Sequence, residues 1–239
     1  MICFLTSCKK ASDRRCLKSA GEESSMIIDL NENFDTLYLY DAIIYELIQD
    51  TINRLTIMGG ENLIPHITNE ITNEKLTIRN DNTCNFLRSF KKKVKVSIHF
   101  KELNYLHFEG SEPIVTLDTI QSNSLRVRIR DGAGSVSLNL AVGYLETTIS
   151  HGYGDFTLAG TAQNAFLHCN TNSFCDAREL KTNEDLIVRS NTQGDMLINA
   201  SEVNLKASIL KAGNIKYIGT PLTKDVNISG EGQLIDLED

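Results

Sequence analysis

From Gly134 to Gln233 the chain writes one short pattern five times. The repeats open at Gly134-Ser-Val-Ser-Leu, Gly154-Asp-Phe-Thr-Leu, Ser173-Phe-Cys-Asp-Ala, Gly194-Asp-Met-Leu-Ile and Gly213-Asn-Ile-Lys-Tyr. Their starts (134, 154, 173, 194, 213) are 20, 19, 21 and 19 residues apart. Such a unit is too short for a βαβ element, which takes about 30 residues. A fixed period near 20 marks a solenoid, whose coils bury their apolar faces against neighbouring coils. The expected fold is therefore all-β, a single-domain parallel β-helix with coils of about 20 residues. The alternative is an antiparallel sandwich with evenly spaced hairpins. No Asn-Gly or Asp-Gly turn joins adjacent runs between 134 and 233.

Each repeat holds two alternating runs. Val136, Leu138 and Leu140 share one face, as do Phe156 and Leu158, Met196 and Ile198, and Ile215 and Tyr217. The second runs begin with Leu145-Glu-Thr-Thr-Ile149, Phe166-Leu-His-Cys169, Leu186-Ile-Val188, Leu205-Lys-Ala-Ser-Ile209 and Val226-Asn-Ile228. Alternation of this length is the mark of a strand with one buried face. Asn164, Asp185, Asn204 and Asp225 stand at or before these second runs, where left-handed backbone and main-chain bonding are expected of them. Glycine at the repeat starts is expected for the same freedom.

The front of the chain is less regular. Leu37-Tyr-Leu39, Ile43-Ile-Tyr-Glu-Leu47 and Leu55-Thr-Ile57 alternate, and Gly59-Gly60 breaks the run. Ile71 to Ile78 reads as a strand pair turning at Asn73-Glu74. Residues up to about 110 are expected to form irregular first coils that shield the open end. The β-helix domain is taken as 26–239, with 1–25 as signal and polar linker.

Within that leader, Leu5-Thr-Ser-Cys8 has the form of a bacterial lipobox, with Cys8 as the acylated residue. Only Met1 to Leu5 carry the apolar stretch, against the seven to fifteen residues of a secretory signal. Either the true start lies upstream or the match is accidental; the polar Lys9–Ser25 segment favours a lipoprotein signal. The partner so implied is a membrane, held through acyl chains. Of six cysteines, Cys169 and Cys175 fall in repeat strands and read as small core residues. Cys16 and Cys84 lie in loop-like settings, and a bridge between them would tie the leader to the body after export.

A net charge of −7 excludes sequence-independent nucleic-acid binding, which needs a surplus of Lys and Arg. Two basic rows stand out against it. Lys91, Lys93 and Lys95 alternate with Val94, Val96 and Ile98, and Arg126, Arg128 and Arg130 alternate with Leu125, Val127 and Ile129. They read either as a solvated face that discourages edge pairing or, if adjacent in space, as a strip for an anionic ligand. No catalytic or metal site emerges. His66, His99, His107, His151 and His168 lack metal-ligand spacing, His151-Gly-Tyr-Gly154 reads as a glycine turn, and no cofactor motif is present.

The chain resembles the auto-transporter adhesin family with the head GIN domain. The likeness rests on Leu5–Cys8, Cys16-Leu-Lys-Ser-Ala-Gly21, Phe34, Gly60-Glu-Asn-Leu-Ile64, Leu76-Thr-Ile78 and Asn82-Thr-Cys84-Asn-Phe-Leu-Arg88-Ser. It closes on Gly213-Asn-Ile-Lys-Tyr-Ile-Gly219-Thr-Pro221 and Ser229-Gly-Glu-Gly232. The resemblance implies a right-handed, pectin-lyase-like β-helix, a Gram-negative outer-membrane lipoprotein, and an adhesive or structural role toward polysaccharide or envelope protein. It implies no catalytic residues. A polysaccharide lyase on the same fold and a homo-oligomeric structural component remain the alternatives.

Overall fold

Because apolar residues alternate with polar ones, segment after segment has one face to bury, and strands follow. The computed structural model describes residues 18–82 and 93–238. Its first half carries β1 (Glu23–Asp29), β2 (Thr36–Asp41), β3 (Ile43–Gln49), β4 (Arg54–Gly60), β5 (Ile67–Thr72), β6 (Lys75–Asn80), β7 (Val94–Phe100), β8 (Tyr105–Gly110) and β9 (Ile114–Thr116). The second half carries β10 (Ile120–Gly132), β11 (Ser135–Gly152), β12 (Asp155–Thr171), β13 (Phe174–Thr182), β14 (Asp185–Thr192), β15 (Met196–Asn199), β16 (Asn204–Ile209), β17 (Ile215–Ile218), β18 (Thr223–Ile228) and β19 (Leu234–Asp236). One 3-10 turn, Ile64–His66, interrupts them. β1 takes up the last residues of the segment read as linker.

All of these strands join one coiled sheet. From β10 onward every pairing is parallel, at offsets close to twenty residues. The β-solenoid expected from the period is the observed fold. Two broad walls face each other across the core. The first stacks β7, β3, β9, the starts of β11 and β12, then β13, β15, β17 and β19. The second stacks β6, β2, β8, β10, the ends of β11 and β12, then β14, β16 and β18. The long β11 and β12 run round the corner from one wall to the other, through the short rung Ile120, Leu140, Gly160 and Leu180.

Stacking puts like positions about 4.8 Å apart and makes inward ladders. On the first wall the ladder reads Val96, Tyr45, Ile114, Val136, Phe156, Cys175, Met196 and Ile215, all buried. On the second it reads Leu76, Leu37, Leu106, Val127, Thr147, Leu167, Val188 and Ala207, all buried. Cys169 and Cys175 are core residues, as expected. The hydrogen bond with neighbouring Cys169, then burial, pushes the Cys175 thiol well above its ordinary range.

The corners follow a different rule from the one expected. Left-handed backbone falls after the second-wall strands, at Asp131 (φ 52°), His151 (φ 56°) and Thr171 (φ 62°), and ahead of β16 at Glu202 (φ 58°), but at none of the expected Asn164, Asp185, Asn204 and Asp225. Ahead of those strands the polar side chains bond the adjacent coil: Asn204 donates to Asp185 at 3.1 Å, and Thr223 donates to Asn204 at 3.0 Å. The repeat-start glycines answer to crowding. A Cβ on Gly213 would meet the Gly194 carbonyl oxygen at 2.1 Å, with the Thr192 oxygen 2.8 Å away. Ser173 fills the same column with its side chain tucked in, its hydroxyl donating to the Asn170 carbonyl at 2.7 Å.

The two ends differ. At the front, β4 runs antiparallel between β7 and β1, and β5 folds back antiparallel on β6. The Asn73-Glu74 turn expected there has φ of 52° and 60°. Spatial order also departs from chain order, since β2 and β3 lie between β6/β7 and β8/β9. At the back, all six residues of β18 are exposed, and among the described residues no further strand covers it.

Candidate functional site

The outward side of the second wall carries the densest group of rings and cations. In β2, Leu37 and Leu39 point into the core, so Tyr38 and Tyr40 point out. Parallel register places His107 beside Tyr38 and Glu109 beside Tyr40 on β8, and Arg126 and Arg128 beside Tyr105 and His107 on β10. The rings stack along the solenoid axis: Tyr38 lies over His107 at 4.7 Å, and its centroid is 5.8 Å from that of Tyr105. β6 closes the group on the other side. The Arg79 guanidinium sits 3.7 Å from the Tyr40 ring centre, and Lys75 Nζ sits 5.0 Å from that of Tyr38, both in cation–π range.

Hydrogen bonds fix the middle of this patch. His107 Nε2 lies 2.8 Å from a Glu109 carboxylate oxygen, while its buried Nδ1 has no partner among the described residues. Burial, then the neighbouring Tyr38 phenol, raises the Tyr105 pKa above its ordinary value, against a hydrogen bond from Arg128. Burial, then the Glu109 charge, does the same for Tyr40, against the Arg79 guanidinium.

The basic rows separate in space. Lys93 and Lys95 belong to the first wall, where Lys93 pairs with Glu112 and Lys95 donates to Glu46 at 2.9 Å. Arg126, Arg128 and Arg130 belong to the second wall, and β10 makes no pairing with β7. Arg126 is bound to Glu146 at 2.9 Å and Arg130 to Asp131 at 3.2 Å. Among the described residues Arg128 has only neutral partners: the Ser150 hydroxyl at 3.4 Å and the Tyr105 phenol. Cys8, Cys16, Cys84 and Lys91 lie outside the described residues. His99, expected on an exposed polar face, is a quarter exposed and rests 3.0 Å from Asp50.

A family model described as "Putative auto-transporter adhesin, head GIN domain" matches residues 33–221. The chain belongs to that family. Solved structures share the fold. One, described as a putative adhesin from Bacteroides fragilis, is 25% identical, with a TM-score of 0.81 over 90% of this chain and 97% of its own. A second, described as a putative adhesin from Parabacteroides merdae, is 20% identical, with a TM-score of 0.64 over 92% and 98%. A third, described as a putative lipid binding protein from Parabacteroides distasonis, is 18% identical, with a TM-score of 0.69 over 91% and 97%. No curated protein matches the chain.

On this head GIN solenoid, Tyr38, Tyr40, Tyr105, Lys75 and Arg79 form part of the patch that sequence reading passed over. A signal for the tyrosines was present, because large aromatics opposite Leu37 and Leu39 must face outward. Nothing in the spacing showed that β6 and β8 flank them. Elsewhere the first wall carries a recess of about 420 Å³ near Asp155, Phe174, Asp176 and Asp195. Its charges are largely spoken for, with Asp176 on Arg178 and Asp195 on Lys216, each at 2.6 Å. No helix among the described residues is long and apolar enough to cross a membrane.

Proposed function

We propose that this chain is a non-catalytic adhesive module of the bacterial cell envelope, presenting its solenoid wall to glycan or envelope protein. In this reading Cys8 carries the acyl anchor to the outer membrane of a Gram-negative cell, and the walls stand clear of the lipid. The observation that carries it is the outward patch of Tyr38, Tyr40, Tyr105, Lys75, Arg79 and Arg128. In a protein of net charge −7, three cations here have no carboxylate partner among the described residues and stand beside ordered rings. Family membership supports the adhesive role. An extended concave or flat surface is how solenoids engage ligands.

The test is to present the full chain to a panel of neutral and anionic glycans and of matrix proteins, recording binding and chain shortening together. Binding without shortening, lost in Tyr38→Ala, is the expected result. Shortening of any glycan would replace this reading with an enzyme. Mass measured against concentration decides whether the module acts as a single chain or as a homo-oligomer.

A further inference from the structure

Cations of the second wall that lack a carboxylate partner are spread along the solenoid. Lys75 and Arg79 stand on β6; Arg128 stands on β10; Arg189 stands on β14; Lys206 stands on β16. From β6 to β10 the wall climbs three steps, through β2 and β8. From β10 to β14 it climbs three more, and Arg128, Thr148, His168 and Arg189 occupy successive partner positions on one line. At about 4.8 Å per step these two intervals are about 14 Å each, and β16 follows one step after β14. Among the described residues none of the five lies within ion-pair distance of a carboxylate. Two acidic groups between them are engaged: Glu109 with His107, Glu146 with Arg126.

Ring geometry narrows the ligand further. Tyr38 stacks on His107 along the axis, Tyr105 lies parallel to His107 beside it on β8, 6.4 Å away, and Arg79 covers Tyr40. One face each of Tyr38 and Tyr40 is therefore taken, and the wall offers outward mainly ring edges, hydroxyls and guanidinium groups. Hydroxyls and guanidinium groups suit oxyanions, which take charge-assisted hydrogen bonds. They do not suit a flat apolar ring in need of a stacking face. The spacing argues against nucleic acid, where each strand brings a phosphate about every 3.4 Å along the axis. A single small anion would need the cations converged, and they are spread along the solenoid.

Building on the adhesive reading, we infer that the second wall is a track for an acidic polysaccharide lying along the solenoid axis. Its carboxylates would sit at the β6, β10, β14 and β16 levels. His107 and the Tyr38 and Tyr105 rings hold the middle level rigid, and Ser150 and Tyr105 orient the Arg128 guanidinium.

The experiment measures binding of the full chain to hyaluronate (one carboxylate for every two sugars), polygalacturonate (one on every sugar), dextran and single-stranded DNA. Hyaluronate is expected to bind at least tenfold more tightly than dextran, more weakly as salt rises. Arg79→Gln, Arg128→Gln and Arg189→Gln should each cost roughly three- to tenfold, as loss of one charge-assisted contact implies. Lys181→Gln, on the strand ahead of β14, should cost nothing. All four replacements sit on exposed or half-exposed side chains, so folding is checked by unchanged circular dichroism. Equal binding of hyaluronate and dextran, with loss in Tyr38→Ala, would overturn the acidic track and leave the adhesive module standing. Acidic binding unmoved by the three arginine variants would overturn the site. Preference for DNA, or no binding to either acidic polysaccharide, would also overturn it.

Discussion

Thr147 is a polar rung in an apolar ladder, and replacing it with valine should stabilise the protein. It is fully buried, with Val127 and Leu167 as its partners on the neighbouring coils. Its hydroxyl has no hydrogen-bond partner among the described residues. Burying an unsatisfied hydroxyl costs about 1–3 kcal/mol on the scale of protein substitutions. Valine keeps the volume and the β-branched shape that the strand favours, so almost all of that cost should be recovered. For a chain of this size each kcal/mol moves the melting temperature by about 2–4 °C. Thr147→Val should therefore raise Tm by about 2–12 °C. The reverse change one rung away, Val127→Thr, should lower it by a similar amount. Thermal and urea unfolding followed by far-ultraviolet circular dichroism measures both. If Val127→Thr destabilises but Thr147→Val leaves Tm where it was, the hydroxyl is satisfied in solution and the reasoning fails.

Other expectations follow from the same packing. Gly213→Ala forces a Cβ against the Gly194 carbonyl and strains the Gly213 N–H to Thr192 bond of 2.9 Å. A loss of about 2–4 kcal/mol in a urea titration is expected from overpacking plus a weakened hydrogen bond. Ile198→Ala, in the buried middle of the first wall, should cost about 2–5 kcal/mol, whereas Ile228→Ala, half exposed at the open end, should cost well under half of that. Acid should expose Glu46: burial opposes its charge, but hydrogen bonds from Ser97 and Lys95 hold its pKa below 4.5. Its stabilisation is complete above the unfolded value and disappears as pH falls through the folded one; Glu46→Gln should flatten that part of the Tm–pH curve. Asp155 has the opposite sign, since burial raises its pKa. Its charge weakens the fold above pH about 4, so Asp155→Asn should raise Tm at pH 7 and change little at pH 3.

How far the sequence could be read depended on where each strand finds its neighbour. Between Gly134 and Gln233 the neighbour is always the next coil, so one period encodes both the strands and their pairing. Even the Arg126–Glu146 ion pair is legible in retrospect, because the two residues stand one coil apart. The front half has no such rule. Lys95 meets Glu46 across 49 residues and Tyr38 meets His107 across 69, and alternation says only which way each side chain points. It could place Arg128 outward; it could not place Tyr105 next to it or Lys95 on the other wall. The corner glycines were found for the wrong reason, because crowding between coils leaves no trace in a single chain's local preferences.

The coil made of β2 and β3 is the earliest complete one along the chain, yet it is wedged between two that come later. Thr36 must wait for Lys75 on one side and Tyr105 on the other. Closing the longer of these loops costs only about 1 kcal/mol more than closing a twenty-residue one, since the penalty grows with the logarithm of length. The delay comes instead from having both strand edges bare until roughly the first half of the chain is available. A nascent or translocating chain therefore holds no finished coil while its leading end is in transit. Once β8 and β9 arrive, the front locks as a single latch, and the remaining coils can zip onto it one at a time toward the open back.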